Sequence, residues 1–317
     1  PALSRSIYMN TGGTGPLPRT VTSEISSTYL AAEQQGPDVP DVRDHIQQQY
    51  QRTRKIAASF LGVDHRELAF VRCISEGLNI VASGMTWQAG NEVIVTSEEH
   101  PSGIMLWLNL ANRMGIQVKK LSLASDLENL LDRLDRMISK NTRLLSLSHV
   151  TTDTGTRLPG AEICKLAHQR GIPVMFDGAQ SVGQFPINLK DMNCDFYVST
   201  GHKWLLGGWG TGVLYVREDW INRLNVAWTG AYAGTWDTVN DTLDFHEDAR
   251  RFEFGGRHHA LYNAMGKGID FVNAVGTDVI ENRVMMLTDR IKSAILEIPG
   301  AELLSPESQS FSTGIVT

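Results

Sequence analysis

Cysteine is scarce in this chain: Cys73, Cys164 and Cys194 are three in 317 residues, and no two stand at C-x-x-C spacing. That scarcity excludes a disulfide framework and a cysteine-ligated zinc site, and points to a reduced, cytoplasmic setting. Long apolar runs are missing as well. No stretch approaches eighteen residues, and residues 1–7 lack a charged start followed by an apolar core, so neither a membrane span nor a secretion leader is expected. Nor is there a basic run. Lys plus Arg number 29 against 35 Asp plus Glu, a formal net charge of −6, which argues against nucleic acid or an anionic membrane surface as the main partner. No internal repeat or low-complexity linker is visible. What is there, 42% hydrophobic and 20% charged residues, is the composition of an ordinary globular protein. At roughly 150 residues per domain, two domains are expected, with core enough to fold without disulfide or metal.

Residues 7–18 read as a strand-like start followed by glycine and proline punctuation, an irregular loop whose bare backbone can approach a ligand. Residues 21–61 are polar and Gln-rich, with Ile46, Tyr50, Ile56 and Phe60 at helical spacing and Gly62 as a stop signal. Then the rhythm changes. Short β-rich runs at 69–72, 92–96, 117–121, 143–149, 173–177, 195–200 and 211–216 alternate with helical patterns at 76–85, 104–114, 127–138 and 161–170. This alternation predicts an α/β fold: a mostly parallel seven-stranded sheet sandwiched by helices through right-handed crossovers. Such sheets bind ligands at the carboxyl ends of their strands. Residues 220–251 are aromatic and glycine-containing, without a clear pattern. Helices are expected at 259–274 and 278–298 and strands at 301–304 and 311–317. A smaller α+β domain is therefore expected over 255–317, incomplete where the chain stops, after an N-terminal segment at 1–20 that lines the site and a large domain at 21–254.

The segment Val198-Ser-Thr-Gly-His-Lys-Trp204 is a strand ending in small and polar residues, with Lys203 beyond its carboxyl end. A lysine there points into the ligand crevice, where a desolvated amine forms a Schiff base with a carbonyl; a plain surface lysine is the alternative. In Val174-Met-Phe-Asp177-Gly-Ala-Gln180 an apolar strand runs into a buried-looking aspartate. Its carboxylate could hold a proton on a heteroaromatic nitrogen, with Gln180 donating to a ring oxygen, or simply cap the next helix. The pair shifts the balance, because lysine for an aldehyde and aspartate for a pyridinium nitrogen are what pyridoxal phosphate requires of a protein. A phosphate needs donors. Cys73-Ile-Ser-Glu-Gly-Leu-Asn79 follows a strand and opens a helix, so the N–H groups of Ile74, Ser75 and Glu76 with the Ser75 hydroxyl make an anion site, or an ordinary N-cap. Thr200 and His202 add side-chain donors. His100, after the strand at 92–96, lies on the same rim, where its ring can stack on a planar cofactor and exchange protons. The neighbours His258 and His259 have no carboxylate or cysteine at ligand spacing, so no metal is expected. The glycines of 207–212 precede a strand rather than a helix, which fails the dinucleotide fingerprint, and 12–15 lack the lysine of a P-loop.

Thr200-Gly-His-Lys203, Asp177-Gly-Ala-Gln180, Glu99-His-Pro101 and Asn10-Thr-Gly-Gly13, in this order-specific set, resemble the class V aminotransferase group of fold-type I pyridoxal-phosphate enzymes. That group includes cysteine desulfurases, cysteine/cystine C–S lyases and isopenicillin-N-epimerase-like proteins. Gly201-His-Lys-Trp-Leu with Arg251-Phe-Glu253 looks closest to the C–S lyase and epimerase-like branch. The resemblance implies roles residue by residue. Lys203 would carry the cofactor and move protons at Cα, Asp177 would pair with the pyridinium nitrogen, Gln180 with the phenolic oxygen, and His100 would stack on the ring. Ser75, Thr200 and His202 would hold the phosphate, and Gly12 and Gly13 would border the substrate. The group is dimeric, with the segment at Phe254-Gly-Gly-Arg257 reaching the partner's phosphate, so a homodimer is expected.

The sequence departs from the pattern at Asp153, where relatives often carry an asparagine near the phenolic oxygen, since a negative charge beside a phenolate is unfavourable. It departs again at Gly256, where a threonine is common and only a backbone N–H is left for the partner's phosphate, although Arg257 supplies charge nearby and is expected, with Gly12 and Gly13, at the substrate. The three cysteines fall in or beside sheet and helix segments and are expected to be buried and inert. C–S bond cleavage of a cysteine- or cystine-type amino acid by β-elimination is the expected reaction. The alternatives are a desulfurase passing sulfur to its own cysteine, an epimerase or aminotransferase, and a non-catalytic cofactor-bearing sensor or partner subunit on the same scaffold.

Overall fold

Gly36 and Pro40 divide the polar, Gln-rich stretch at 21–61. The computed structural model describes residues 4–123 and 127–317, and in it α1 (Arg19–Gln35) and α2 (Pro40–Leu61) are separate helices. Gly36 sits at φ 95°, a conformation a side chain resists, and Pro40 has no N–H with which to continue α1. α2 ends at the left-handed Gly62. Residues 1–3 and 124–126, and with them the start of the segment expected over 1–20, lie outside the described residues.

The alternating region then runs β1 (Leu68–Val71), α3 (Ile74–Gly84), β2 (Glu92–Thr96), α4 (Pro101–Met114), β3 (Gln117–Leu121), α5 (Leu130–Met137), β4 (Thr142–Ser148) and α6 (Gly160–Gln169). It continues with β5 (Val174–Asp177), α7 (Leu189–Met192), β6 (Phe196–Thr200), β7 (Gly212–Val216) and α8 (Glu218–Ile221). The seven strands form one sheet in the order β1-β7-β6-β5-β4-β2-β3. β7 runs antiparallel to both neighbours and the other pairings are parallel.

Successive strand residues enter opposite cores. Leu68 and Phe70, Ile94, Leu145 and Leu147, Val174 and Phe176 pack with α2, α5, α6 and α9 (His259–Val275). Ala69 and Val71, Val93 and Val95, Leu144, Met175, Phe196 and Val198 pack with α3 and α4. With both faces covered, the strands read as near-continuous apolar runs. Each fully buried side chain of this kind contributes about 1.5–3 kcal/mol, so the strand ends are held as a fixed platform.

Beyond β7, the patternless region contains a hairpin, β8 (Gly234–Asp237) with β9 (Thr242–Phe245). After Gly255, α9 packs on α1 and α2 and places Tyr262, Met265 and Ile269 in the sheet's core; α10 (Thr277–Leu296) follows. The strands expected at 301–304 and 311–317 are not formed. A strand needs a neighbour for its ladder, and no described strand lies beside 311–317. The segment is tied by single bonds instead: Arg157 N to Phe311 O at 2.8 Å, Leu304 N to Thr317 O at 2.9 Å, and Gly314 N to Gln184 Oε1 at 2.7 Å. No helix among the described residues is long and apolar enough to cross a membrane.

Candidate active site

Five strand ends and the N-terminal segment converge on a cavity of about 400 Å³, within the roughly 300–1,000 Å³ of small-ligand sites. The turn after β1 supplies Ile74 and Ser75, the end of β2 supplies His100, and β5 leads into Asp177 and Gln180. β6 leads into Thr200, His202 and Lys203, while Gly12 and Gly13 come from the N-terminal segment. A larger groove, about 1150 Å³, opens at the amino ends of the parallel strands, where mixed charges such as Arg66, Glu67 and Lys190 converge on no reactive group.

α3 begins without a side-chain cap, Cys73 occupying the cap position. The first N–H groups of a helix have no intrahelical partner and carry the positive end of its dipole, so this start is open to an anion. Ser75 Oγ donates to Ser102 Oγ at 3.0 Å, which joins the start of α3 to that of α4. Beside them, His202 Nδ1 bonds Thr200 Oγ1 at 2.7 Å, and the Trp209 indole stacks on the His202 ring at 3.8 Å and 10°. Burial, then the Lys203 charge, depress His202 to about 4, so its ring is neutral near pH 7.

Asp177 ends β5 with Oδ1 accepting the Ala179 N–H at 2.9 Å. Burial pushes its carboxyl up to about 6, opposed by that N–H and by Lys203. Burial pulls the Lys203 amine below the ordinary lysine range, opposed by Asp177. His100 is depressed by burial and then by Lys203; it caps α4, its Nδ1 accepting the Ser102 N–H at 3.1 Å. Gln180 is a tie: Nε2 donates to Gly12 O at 3.0 Å, and Oε1 accepts from Trp204 Nε1 at 2.9 Å. The N-terminal loop lies directly on the lysine turn, Gly15 N donating to His202 O at 2.8 Å. A Cβ on Gly15 would stand 2.2 Å from Lys203 O, so a side chain there would push the loop off.

The aminotransferase class-V family model matches residues 7–317. The chain belongs to the aminotransferase class-V family. It is 31% identical to isopenicillin N epimerase of Streptomyces clavuligerus, over 98% of this chain and 80% of that protein. It is 29% identical to a cysteine desulfurase of Escherichia coli strain K12 / DH10B, over 98% and 79%. Among solved structures it superposes on the cystine C–S lyase C-DES in complex with its product cysteine persulfide, with a TM-score of 0.92 and 27% identity, over 98% of this chain and 84% of that one. A mutant of C-DES with glycine covalently linked to its PLP cofactor matches equally well, at a TM-score of 0.92, 27% identity, and 98% and 83% coverage. The fold is thus that of the fold-type I pyridoxal-phosphate enzymes.

Four expected residues of this class-V chain stand outside the cavity lining. The Glu76 carboxylate accepts from Arg72 N at 2.6 Å and Arg257 Nη2 at 3.1 Å, so Arg257 spends its guanidinium on Glu76 and the Phe70 carbonyl. Its side chain is buried in that pairing. Asp153 is exposed, with its backbone carbonyl accepting from Thr317 Oγ1 and Thr152 taking the lining position. Gly256 is exposed with open space where a Cβ would be. The cysteines divide: Cys164 and Cys194 are buried, and burial pushes both thiols up. Cys73, expected to be buried, is exposed and lines the cavity, because the turn from β1 into α3 faces the crevice. Ser102, Ser148 and Trp209 also line it. Ser148 was accessible as a strand-end residue, in register with Asp177; Trp209 lay within a glycine cluster weighed for a dinucleotide alone.

Proposed function

We propose that the protein is a pyridoxal-phosphate enzyme that cleaves the C–S bond of a cysteine- or cystine-type amino acid by β-elimination. The observation that carries this reading is that Lys203 and Asp177 line one cavity with the uncapped start of α3. The donor set fits the group. An amine of lowered basicity suits attachment to the aldehyde. A desolvated carboxylate suits the ring nitrogen, and the N–H groups of α3 with Thr200 and His202 suit the phosphate. When bound, pyridoxal phosphate supplies an electron sink for a carbanion at Cα.

The chain's own groups do the remaining work. Ser75, Thr200 and His202 would orient the phosphate, Asp177 would keep a proton on the ring nitrogen, and His100 would offer a neutral ring to the face. Lys203 Nζ would accept the Cα proton. In the proposed β-elimination the sulfur would leave with the Cβ–S electron pair as thiolate or persulfide, the carbon skeleton ending after hydrolysis as pyruvate and ammonia. We also propose a homodimer, supported by the large exposed side chains Trp209, Trp236 and Val239.

Asp177 gives a pH dependence of known sign. The carboxylate would accept the pyridinium N–H and the protonated acid would not, so affinity for pyridoxal phosphate should be present above about pH 6 and lost as pH falls through it. The decline should reach at most about tenfold per pH unit. Absorbance titrations between pH 5 and 8 should show this limb in the native protein and a flat profile in Asp177→Asn.

One observation favours a second reading, cysteine desulfurase: the exposed Cys73 thiol lines the same cavity and could accept sulfur. The deciding experiment incubates cofactor-loaded protein with L-cystine, then with L-cysteine plus reductant. Pyruvate is expected. Alanine that disappears in Cys73→Ser would establish the desulfurase, and neither product would overturn both.

A further inference from the structure

We propose that Glu99 is a positioning residue for the His100 ring, its carboxylate bolting the loop that carries His100 to the carboxyl ends of β2 and β4. This role presupposes the pyridoxal-phosphate reading above. Four donors from two strand ends converge on the Glu99 head. Oε1 accepts from Thr96 N at 3.1 Å, Thr96 Oγ1 at 2.6 Å and Ser148 N at 2.9 Å. Oε2 accepts from Ser148 Oγ at 2.7 Å. Two of the four are backbone N–H groups, and both point at Oε1, which must therefore accept; Oε2 meets only the Ser148 hydroxyl, which can donate to a carboxylate or accept from an acid protonated there, so the head is held in either form.

Burial pushes the Glu99 carboxyl up and the Asp177 carboxylate adds to the rise, against the hydrogen bonds from Thr96 and Ser148. The neighbouring sequence makes room for the head: a Cβ on Gly103 would stand 2.9 Å from Glu99 Oε2. The bolt joins two walls of the site. Ser148 pairs in register with Asp177 and lines the cavity. On the other side the peptide leads from Glu99 into His100, whose Nδ1 takes the Ser102 N–H, and Ser102 Oγ takes the Ser75 hydroxyl. Glu98 makes a parallel tie, accepting from Thr154 Oγ1 at 2.5 Å. His100 itself is exposed, so the placement of its ring over a bound cofactor depends on this loop. Displacement by about 1 Å is enough to spoil such a geometry.

The test is a double-mutant cycle read by the dissociation constant of pyridoxal phosphate and by the visible circular dichroism of the bound cofactor. Glu99→Ala should weaken binding about tenfold and lower the ellipticity, and His100→Ala should do the same. In the His100→Ala background, Glu99→Ala should add nothing, because the ring through which it acts is gone. Additive losses, about a hundredfold in the double variant, would overturn the role, as would a Glu99→Ala protein indistinguishable from native. Should far-UV circular dichroism show Glu99→Ala unfolded, Thr96→Val with Ser148→Ala removes the two hydroxyl donors and enters the same cycle with the same criterion. A native protein with no visible cofactor band would instead sink the cofactor reading, and this inference with it.

Discussion

Lys203→Ala should lower turnover of the proposed cysteine-type substrate by at least about 10³-fold, because in the proposed role one substitution would remove both covalent attachment of the cofactor and the base for the Cα proton. The visible absorption of the loaded protein should change with it. Affinity for pyridoxal phosphate should fall without vanishing, since the start of α3, Thr200 and His202 still line the cavity and would hold the phosphate. The environment supports this expectation: burial lowers the basicity of the amine, and Asp177 is the charge that opposes the shift. Steady-state assay beside an absorbance titration separates the two losses. Unchanged turnover and spectrum in Lys203→Ala would refute the assignment of the lysine.

The largest expected loss of stability lies away from the cavity. Arg54 and Glu253 form a buried ion pair between α2 and the turn before α9, with Nη1 to Oε1 at 2.6 Å and Nη2 to Oε2 at 3.2 Å. Arg54 also donates to Leu68 O at 2.8 Å and lies over the Phe70 ring at 4.4 Å. Glu253 takes the Phe70 N–H at 2.7 Å. The pair thereby fastens edge strand β1, whose carboxyl end leads into Ser75. Arg54→Ala would strand a buried carboxylate, at a cost of about 3–5 kcal/mol, whereas replacing both partners by apolar residues of similar volume removes that charge and leaves the cost of the Leu68 carbonyl and Phe70 N–H that lose their partners, about 1–3 kcal/mol each. The midpoint of urea unfolding measures both. A loss below about 1 kcal/mol in Arg54→Ala would show that the carboxylate finds other compensation.

The parallel sheet was legible because strands covered on both faces leave apolar runs, and Lys203, Asp177 and His100 were legible because each follows such a run. Bonds made across long separations were not. Glu99 reads locally as one of two acids before a histidine, and only folding brings Ser148, 49 residues away, onto its carboxylate. The capture of Arg257 by Glu76 spans 181 residues, so its charge looked available when it was not. The hairpin at 234–245 escaped because its residues are largely exposed and carry no inside–outside alternation. At 311–317 a strand-like composition met no partner strand, and composition alone does not supply one.

The cap on α4 has a consequence for the direction of proton traffic. With the Ser102 N–H aimed at Nδ1, the His100 imidazole carries its hydrogen on Nε2 and has no lone pair left on the helix side. A second proton would have to displace the peptide hydrogen and uncap fourteen residues of helix. The ring can therefore donate a hydrogen bond into the cavity from Nε2, but giving that proton up would leave an imidazolate, so it neither acts as an acid there nor relays a proton through to the far nitrogen, as a histidine with both nitrogens free is able to do.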